Sequence, residues 1–155
     1  MVQDGQAAPD FELPTGDGTS VKLAKLRGKT VVLYFYPKDD TSGCTVEAKD
    51  FTSLAHEFKA AGAEVIGISP DSVASHQKFA KKHGLEVRLA ADEDKAVAGT
   101  FGVWVEKSMY GRKYMGVERS TFLIDKAGHI ARSWRKVKVP DHAAEVLAAV
   151  RALAK

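Results

Sequence analysis

An α/β fold with a partly parallel sheet is predicted for this chain, and three observations predict it. Val31-Val32-Leu33-Tyr34-Phe35-Tyr36 is a near-continuous apolar run, as expected of a central strand covered on both faces, and Glu64-Val65-Ile66-Gly67-Ile68-Ser69 reads as a second core strand. Between and after them lie helix-like segments, giving the strand–helix alternation of βα units. No linker, repeat or low-complexity tract interrupts the 155 residues, so residues 1–155 read as one domain long enough to bury a real core.

The elements follow in order. Phe11-Glu12-Leu13 and Ser20-Val21-Lys22-Leu23 flank the turn residues Thr15-Gly16-Asp17-Gly18 and read as an N-terminal hairpin. From Cys44 to about Ala61, Phe51, Leu54, Ala55 and Phe58 recur at helical spacing, which predicts one helix. Pro70-Asp71-Ser72 is a helix entry, with Asp71 or Ser72 as cap, and Gly84 suits the left-handed position that ends that helix. A short strand near Val87 to Ala90 and a short helix over Glu93 to Ala98 follow. Ser120 to Asp125 and His129 to Trp134 flank Lys126-Ala127-Gly128 as a hairpin. After Pro140-Asp141, Val146, Leu147, Val150 and Leu153 mark an amphipathic C-terminal helix.

Composition excludes several classes. A net charge of +3, from 23 basic and 20 acidic residues, is too balanced to argue for nucleic acid. The basic cluster Arg132 to Lys138 alternates with apolar residues, as a solvated strand face does. No apolar stretch approaches the ~20 residues of a membrane span. Met1-Val2-Gln3-Asp4-Gly5 lacks the charged and apolar regions of a signal peptide, so the cytoplasm is the expected compartment. His56, His76, His83, His129 and His142 show no metal-ligand spacing and read as surface or satisfied histidines; no metal is expected.

Cys44 is the single cysteine. It lies in Pro37-Lys38-Asp39-Asp40-Thr41-Ser42-Gly43-Cys44-Thr45, after a buried strand and where a helix should begin. A helix start offers unpaired N–H groups and the positive end of the macrodipole, and both favour thiolate over thiol.

Three blocks of this sequence resemble the peroxiredoxins of the bacterioferritin-comigratory-protein (PrxQ) type. They are Ala8-Pro9-Asp10-Phe11-Glu12-Leu13, the run from Tyr34 to Ala48 with its P-x-x-x-T-x-x-C pattern, and Glu118-Arg119-Ser120-Thr121-Phe122-Leu123-Ile124-Asp125. The strand from Val65 and the tail after Pro140 also fit, so the resemblance spans nearly the whole chain. It implies a thioredoxin-like fold with an N-terminal β-hairpin extension and a central mixed sheet flanked by helices. It also implies reduction of hydrogen peroxide and organic hydroperoxides by a cysteine thiol, with no cofactor. By the same resemblance Cys44 is the peroxidatic cysteine, Thr41 the active-site threonine, Arg119 the active-site arginine, Pro37 the shielding proline and Tyr36 a pocket tyrosine. Members of this type are often monomers; a monomer is carried over, with a dimer left open.

Simple arithmetic shows why several residues are needed. A thiol whose pKa falls from about 8.5 to about 6 gains roughly 30-fold in thiolate at neutral pH. With a Brønsted slope of about 0.4–0.5, the same drop costs roughly 10- to 20-fold in nucleophilicity. The net gain is about two- to threefold, too little for a fast peroxidase. The remainder falls to groups that position the peroxide and stabilise charge on its oxygens. Arg119 can supply fixed donors, the Thr41 hydroxyl can accept a hydrogen bond from the peroxide O–H, and the backbone N–H groups of Gly43 and Cys44 can donate. Gly43 lacks a side chain that would block that backbone. Glu47, one turn into the helix, is expected either to complement the dipole or to partner an arginine, the former preferred.

The sequence departs from the family where members carry a second, resolving cysteine. Those places are Lys49 and Ala80. Ser42 also replaces a proline often found before the glycine. A one-cysteine cycle is therefore expected, in which thioredoxin, glutaredoxin or glutathione reduces the Cys44 sulfenic acid, or Cys44 of another chain pairs with it. The competing reading is a stoichiometric peroxide sensor or redox-regulated binding protein.

Overall fold

Leu13 and Val21 pair across the first hairpin with both side chains buried, which joins strands β1 (Glu12–Pro14) and β2 (Ser20–Lys22). The computed structural model describes residues 2–154; Met1 and Lys155, the ends of the span expected as one domain and of the N-terminal segment read above, lie outside the described residues. A single 3₁₀ turn over Leu23–Leu26 leads into β3 (Thr30–Phe35), in which all six residues are buried.

Where one helix is expected after Cys44, there are two, α1 (Ser42–Ser53) and α2 (Ala55–Ala60). The break is at Leu54, with φ −103° and ψ 9°. Just before it the Ser53 hydroxyl donates to the Asp50 carbonyl at 2.9 Å, a side-chain bond of the kind that competes with the helical ladder. β4 (Ala63–Ser69) follows, then α3 (Val73–His83). Ser72 caps α3 by accepting from the Ser75 N–H at 3.1 Å, and Gly84 ends it at φ 61°.

β5 (Arg88–Ala91) precedes α4 (Ala96–Thr100), which starts later than expected. The Asp92 carboxylate accepts from the Val97 and Ala98 N–H groups and so fixes that start. A hairpin the sequence reading lacks comes next, β6 (Trp104–Met109) and β7 (Arg112–Val117), turning on Tyr110 and Gly111, both at positive φ. β8 (Ser120–Ile124), β9 (Ile130–Trp134) and α5 (His142–Leu153) complete the chain.

The main sheet runs β5-β4-β3-β8-β9, with β3, β4 and β5 parallel and β8 and β9 antiparallel. Because side chains alternate along β3, Val31, Leu33 and Phe35 face one core and Val32 and Tyr34 face another. The first core takes Phe11, Leu13, Val21 and Phe101; the second takes Cys44, Ala48, Phe51, Phe79 and Val146 from the helices. The fold is a central mixed sheet flanked by helices, with an N-terminal hairpin. No helix among the described residues is long and apolar enough to cross a membrane.

Candidate active site

The register of the sheet explains how residues 75 positions apart meet. β8 runs antiparallel to β3 with Phe35 opposite Ser120, so Arg119 stands beside the carboxyl end of β3, where the chain turns into α1. Its guanidinium reaches across to the helix. Nη2 donates to Cys44 Sγ at 3.3 Å and Nη1 donates to Glu47 Oε1 at 2.6 Å. Cys44 is 2% exposed and Glu47 1%. The two share the buried face of α1, three residues apart, one turn of helix.

Glu47 is thus the arginine's partner, the less favoured of its two expected roles. Burial pushes its carboxyl up to about 7, while the Arg119 charge beside it holds it down against that trend. Burial also works against the Arg119 charge, but Glu47 and the Cys44 sulfur more than offset it and raise the guanidinium above its ordinary range. Arg119 is cationic at any pH the protein meets.

Thr41 is the residue before the first turn of α1, exposed and in an extended conformation. Its hydroxyl donates to the Lys38 carbonyl at 2.9 Å, which leaves its lone pairs free to accept. The first helical bond runs from the Thr45 N–H to the Thr41 carbonyl at 2.8 Å. The N–H groups of Ser42, Gly43 and Cys44 precede it and have no carbonyl one turn back. Gly43 is half-buried, and a Cβ placed there would lie 3.3 Å from Arg119 Nη2. Pro37 is half-buried at the head of the loop. Cys44, Arg119 and Gly43 therefore meet at the start of α1, with Thr41 the residue just before it.

Tyr36 points elsewhere with its polar end. Its hydroxyl donates to Asp39 Oδ1 at 2.6 Å, beneath the loop. The neighbouring Tyr34, which the sequence marked only as a strand residue, stacks on Phe51 of α1 at 4.7 Å between ring centroids. Its hydroxyl and Glu47 Oε2 are buried with no hydrogen-bond partner. Lys107 of β6 is held below its usual range by burial and by the nearby charge of Arg119, so the unexpected hairpin borders the site. Lys49 is exposed on α1 and Ala80 half-buried on α3. Among the described residues no group of three or more His, Cys, Asp or Glu side chains is placed to hold a metal ion.

A buried thiol beside an arginine, with free amides and a hydroxyl acceptor around it, can deliver a sulfur nucleophile to an oxygen electrophile while holding that oxygen's developing charge. Known proteins agree with that chemistry. The pattern of the AhpC/TSA family matches residues 5–133. Peroxiredoxin Bcp of Bacillus subtilis is 51% identical over 146 residues, covering 94% of this chain and 93% of that protein. Peroxiredoxin Bcp of Escherichia coli is 43% identical over 141 residues, with 91% and 90% covered. The solved structure of Xanthomonas campestris peroxiredoxin Q superposes with a TM-score of 0.90 at 48% identity, covering 94% of this chain and 92% of that one. With one cysteine in its sequence, the chain belongs to the AhpC/TSA family as a thiol peroxidase of the peroxiredoxin Bcp, or PrxQ, type that lacks a resolving cysteine.

Proposed function

We propose that Cys44 is the thiol that reacts with peroxide and that Arg119, Thr41 and the amides of Gly43 and Cys44 hold the peroxide for it. The observation that carries this is the Arg119 Nη2 bond to the sulfur of the single cysteine, at 3.3 Å. The Cys44 thiolate attacks one peroxide oxygen, the O–O bond breaks, and the departing alkoxide or hydroxide takes up a proton. Cys44 is left as a sulfenic acid. Thr41 accepts a hydrogen bond from the peroxide O–H, while Arg119 and the free amides donate to its oxygens as charge develops. Pro37 contributes a loop wall with no N–H to hydrate. Tyr36 serves the site from beneath, through Asp39.

A second thiol must close the cycle. It attacks the sulfenic sulfur, water leaves, and a further thiol reduces the mixed disulfide. No position of this chain supplies that thiol, so the donor is another molecule: thioredoxin, glutaredoxin or glutathione. The monomer and the cytoplasmic setting expected from the sequence complete this reading.

The test is to treat the protein with one equivalent of hydrogen peroxide, take intact masses, and then add each of the three thiol systems separately. The expected result is a gain of one oxygen, absent in Cys44→Ser and removed by at least one donor. If oxygen is gained but no donor removes it, the turnover cycle fails and a stoichiometric sensor is the better description.

A further inference from the structure

Beneath the loop that precedes Cys44 lies a buried polar cluster that touches no reacting atom. Asp39 is its centre, with a side chain 4% exposed. Three side chains from two places in the chain meet the carboxylate. Tyr36 Oη donates at 2.6 Å from the end of β3, and Ser75 Oγ at 2.8 Å from the first turn of α3. His76 Nδ1 approaches at 2.8 Å from that same turn, its side chain fully buried. Asp39 also gives its backbone N–H to Asp71 Oδ2 at 2.8 Å, and Asp71 is itself held by the Ser69 hydroxyl.

The other ring nitrogen of His76 decides the chemistry. Nε2 lies 3.0 Å from the Ala90 carbonyl on β5, and a carbonyl only accepts. Nε2 therefore carries a proton. Nδ1 lies 2.8 Å from Asp39 Oδ2 and 3.4 Å from Tyr36 Oη, whose own proton goes to Asp39 Oδ1 at 2.6 Å, so a proton on Nδ1 completes the contact with the carboxylate. With a proton on each nitrogen the ring would be an imidazolium facing the Asp39 carboxylate. Each charge compensates the other in a place where neither could stand alone.

We propose that Asp39 and His76 form a buried ion pair that positions the Pro37–Gly43 loop for the reaction at Cys44. Two residues past Asp39 comes Thr41, and the free amides of α1 follow. Asp40, at φ 59°, adds an outer tie to Lys82 and His83 at the far end of α3, at 2.6 and 2.8 Å. Asp39 and His76 are positioning residues; neither touches the sulfur. A displacement of about 1 Å in such a frame costs up to about 100-fold in rate.

This proposal rests on the reading of Cys44 as the reacting thiol, and two measurements separate the two. The first is read on the wild-type protein. Nitrogen-15 spectra of histidine-labelled protein at neutral pH, with His76 assigned from its loss in His76→Gln, should show both ring nitrogens protonated. A His76 ring with one unprotonated nitrogen overturns the ion pair whatever the activity. The second is the rate of Cys44 oxidation by hydrogen peroxide in His76→Gln, Asp39→Asn and the double variant, with His129→Gln on the surface as control. Each single variant should lose about 10- to 100-fold, and the double variant should be no slower than the slower single, because the second change removes the charge the first left unpaired. Losses that multiply, or single variants as fast as wild type, overturn the positioning role. If wild-type Cys44 itself takes up no oxygen, the earlier reading fails instead, and the nitrogen spectra still stand as a test of the pair.

Discussion

Glu47 and Cys44 lie one helical turn apart on the buried face of α1, and Arg119 donates a hydrogen bond to each. The carboxylate aims the guanidinium, and the guanidinium meets the sulfur. Removing the aim is therefore a way to test the meeting.

Glu47→Ala should slow Cys44 oxidation by about 10- to 100-fold, because Arg119 loses the partner that orients it. Glu47→Gln keeps an acceptor for Nη1 and should stay within about tenfold of wild type. Arg119→Lys should fall furthest, by about 100-fold or more, since one ammonium on a flexible stem cannot serve both groups. Stopped-flow fluorescence or quenched mass analysis over the first turnover reads all three; equal rates for Glu47→Ala and Glu47→Gln would separate Glu47 from the reaction.

Two buried groups give opposite pH slopes of stability. Glu47 has its folded value raised from 4.5 to about 7, so it holds a proton in the native state where the unfolded chain has lost it. Its contribution is greatest below pH 4.5 and is lost as pH rises to about 7, by no more than about 1.4 kcal/mol per pH unit. His142, which bonds Thr121 at 2.8 Å, is pushed down from 6.5 to about 4 chiefly by burial. Its contribution is present above 6.5 and is lost as pH falls toward 4. Between 4.5 and 6.5 the two oppose each other. Urea titrations should show Glu47→Gln gaining stability with rising pH in that window relative to wild type, and His142→Gln the reverse.

Gly43→Ala should divorce stability from activity. Within the helix alanine is favoured over glycine by about 0.5–1 kcal/mol. Yet the added methyl would lie 3.3 Å from Arg119 Nη2, and Arg119 is pinned by Glu47 and yields only by shifting off the sulfur. A protein that unfolds at equal or higher denaturant but oxidises at least several-fold more slowly is expected.

Gly67→Ala should be costly for a different reason. A Cβ there would fall 2.6 Å from Tyr34 Cζ and 2.7 Å from its hydroxyl oxygen, with Leu89 Cδ2 at 3.0 Å. Overpacking of this kind costs about 1–3 kcal/mol. Tyr34 stacks on Phe51 of α1, so the damage should reach the site as well. A double-mutant cycle of denaturation midpoints with Tyr34→Leu, which removes both ring atoms, checks the cause; purely additive losses would point to Leu89 instead.

How far the sequence spoke differed from residue to residue. Cys44 was marked by local patterns, a strand, a turn and a helix start, and Thr41 by the resemblance. Arg119 was legible only through resemblance, since its place beside Cys44 depends on the pairing of Phe35 with Ser120 across the sheet. Glu47 was half legible. Its spacing put it on the face of Cys44, but its burial rests on an arginine 72 residues away. The break at Leu54 carries no proline or glycine, only a serine bonding back to its own helix. The β6–β7 hairpin escaped because its turn is Tyr110-Gly111, with tyrosine where Asn or Asp usually takes positive φ. Asp39 and His76 each looked ordinary; they matter as a pair, and pairing is a property of the fold.

The lone, deeply buried sulfur has a kinetic meaning as well as a chemical one. A chain that could cross-link itself would clear its sulfenic acid at its own pace, leaving only the disulfide to an outside reductant. This one cannot, so each recovery is an encounter with a second molecule and is first order in that donor. At steady state the ratio of oxygen-carrying to reduced chains is then the ratio of two arrival rates, peroxide against thiol. The molecule behaves as a divider, reporting the balance of the two pools as it consumes one with the other.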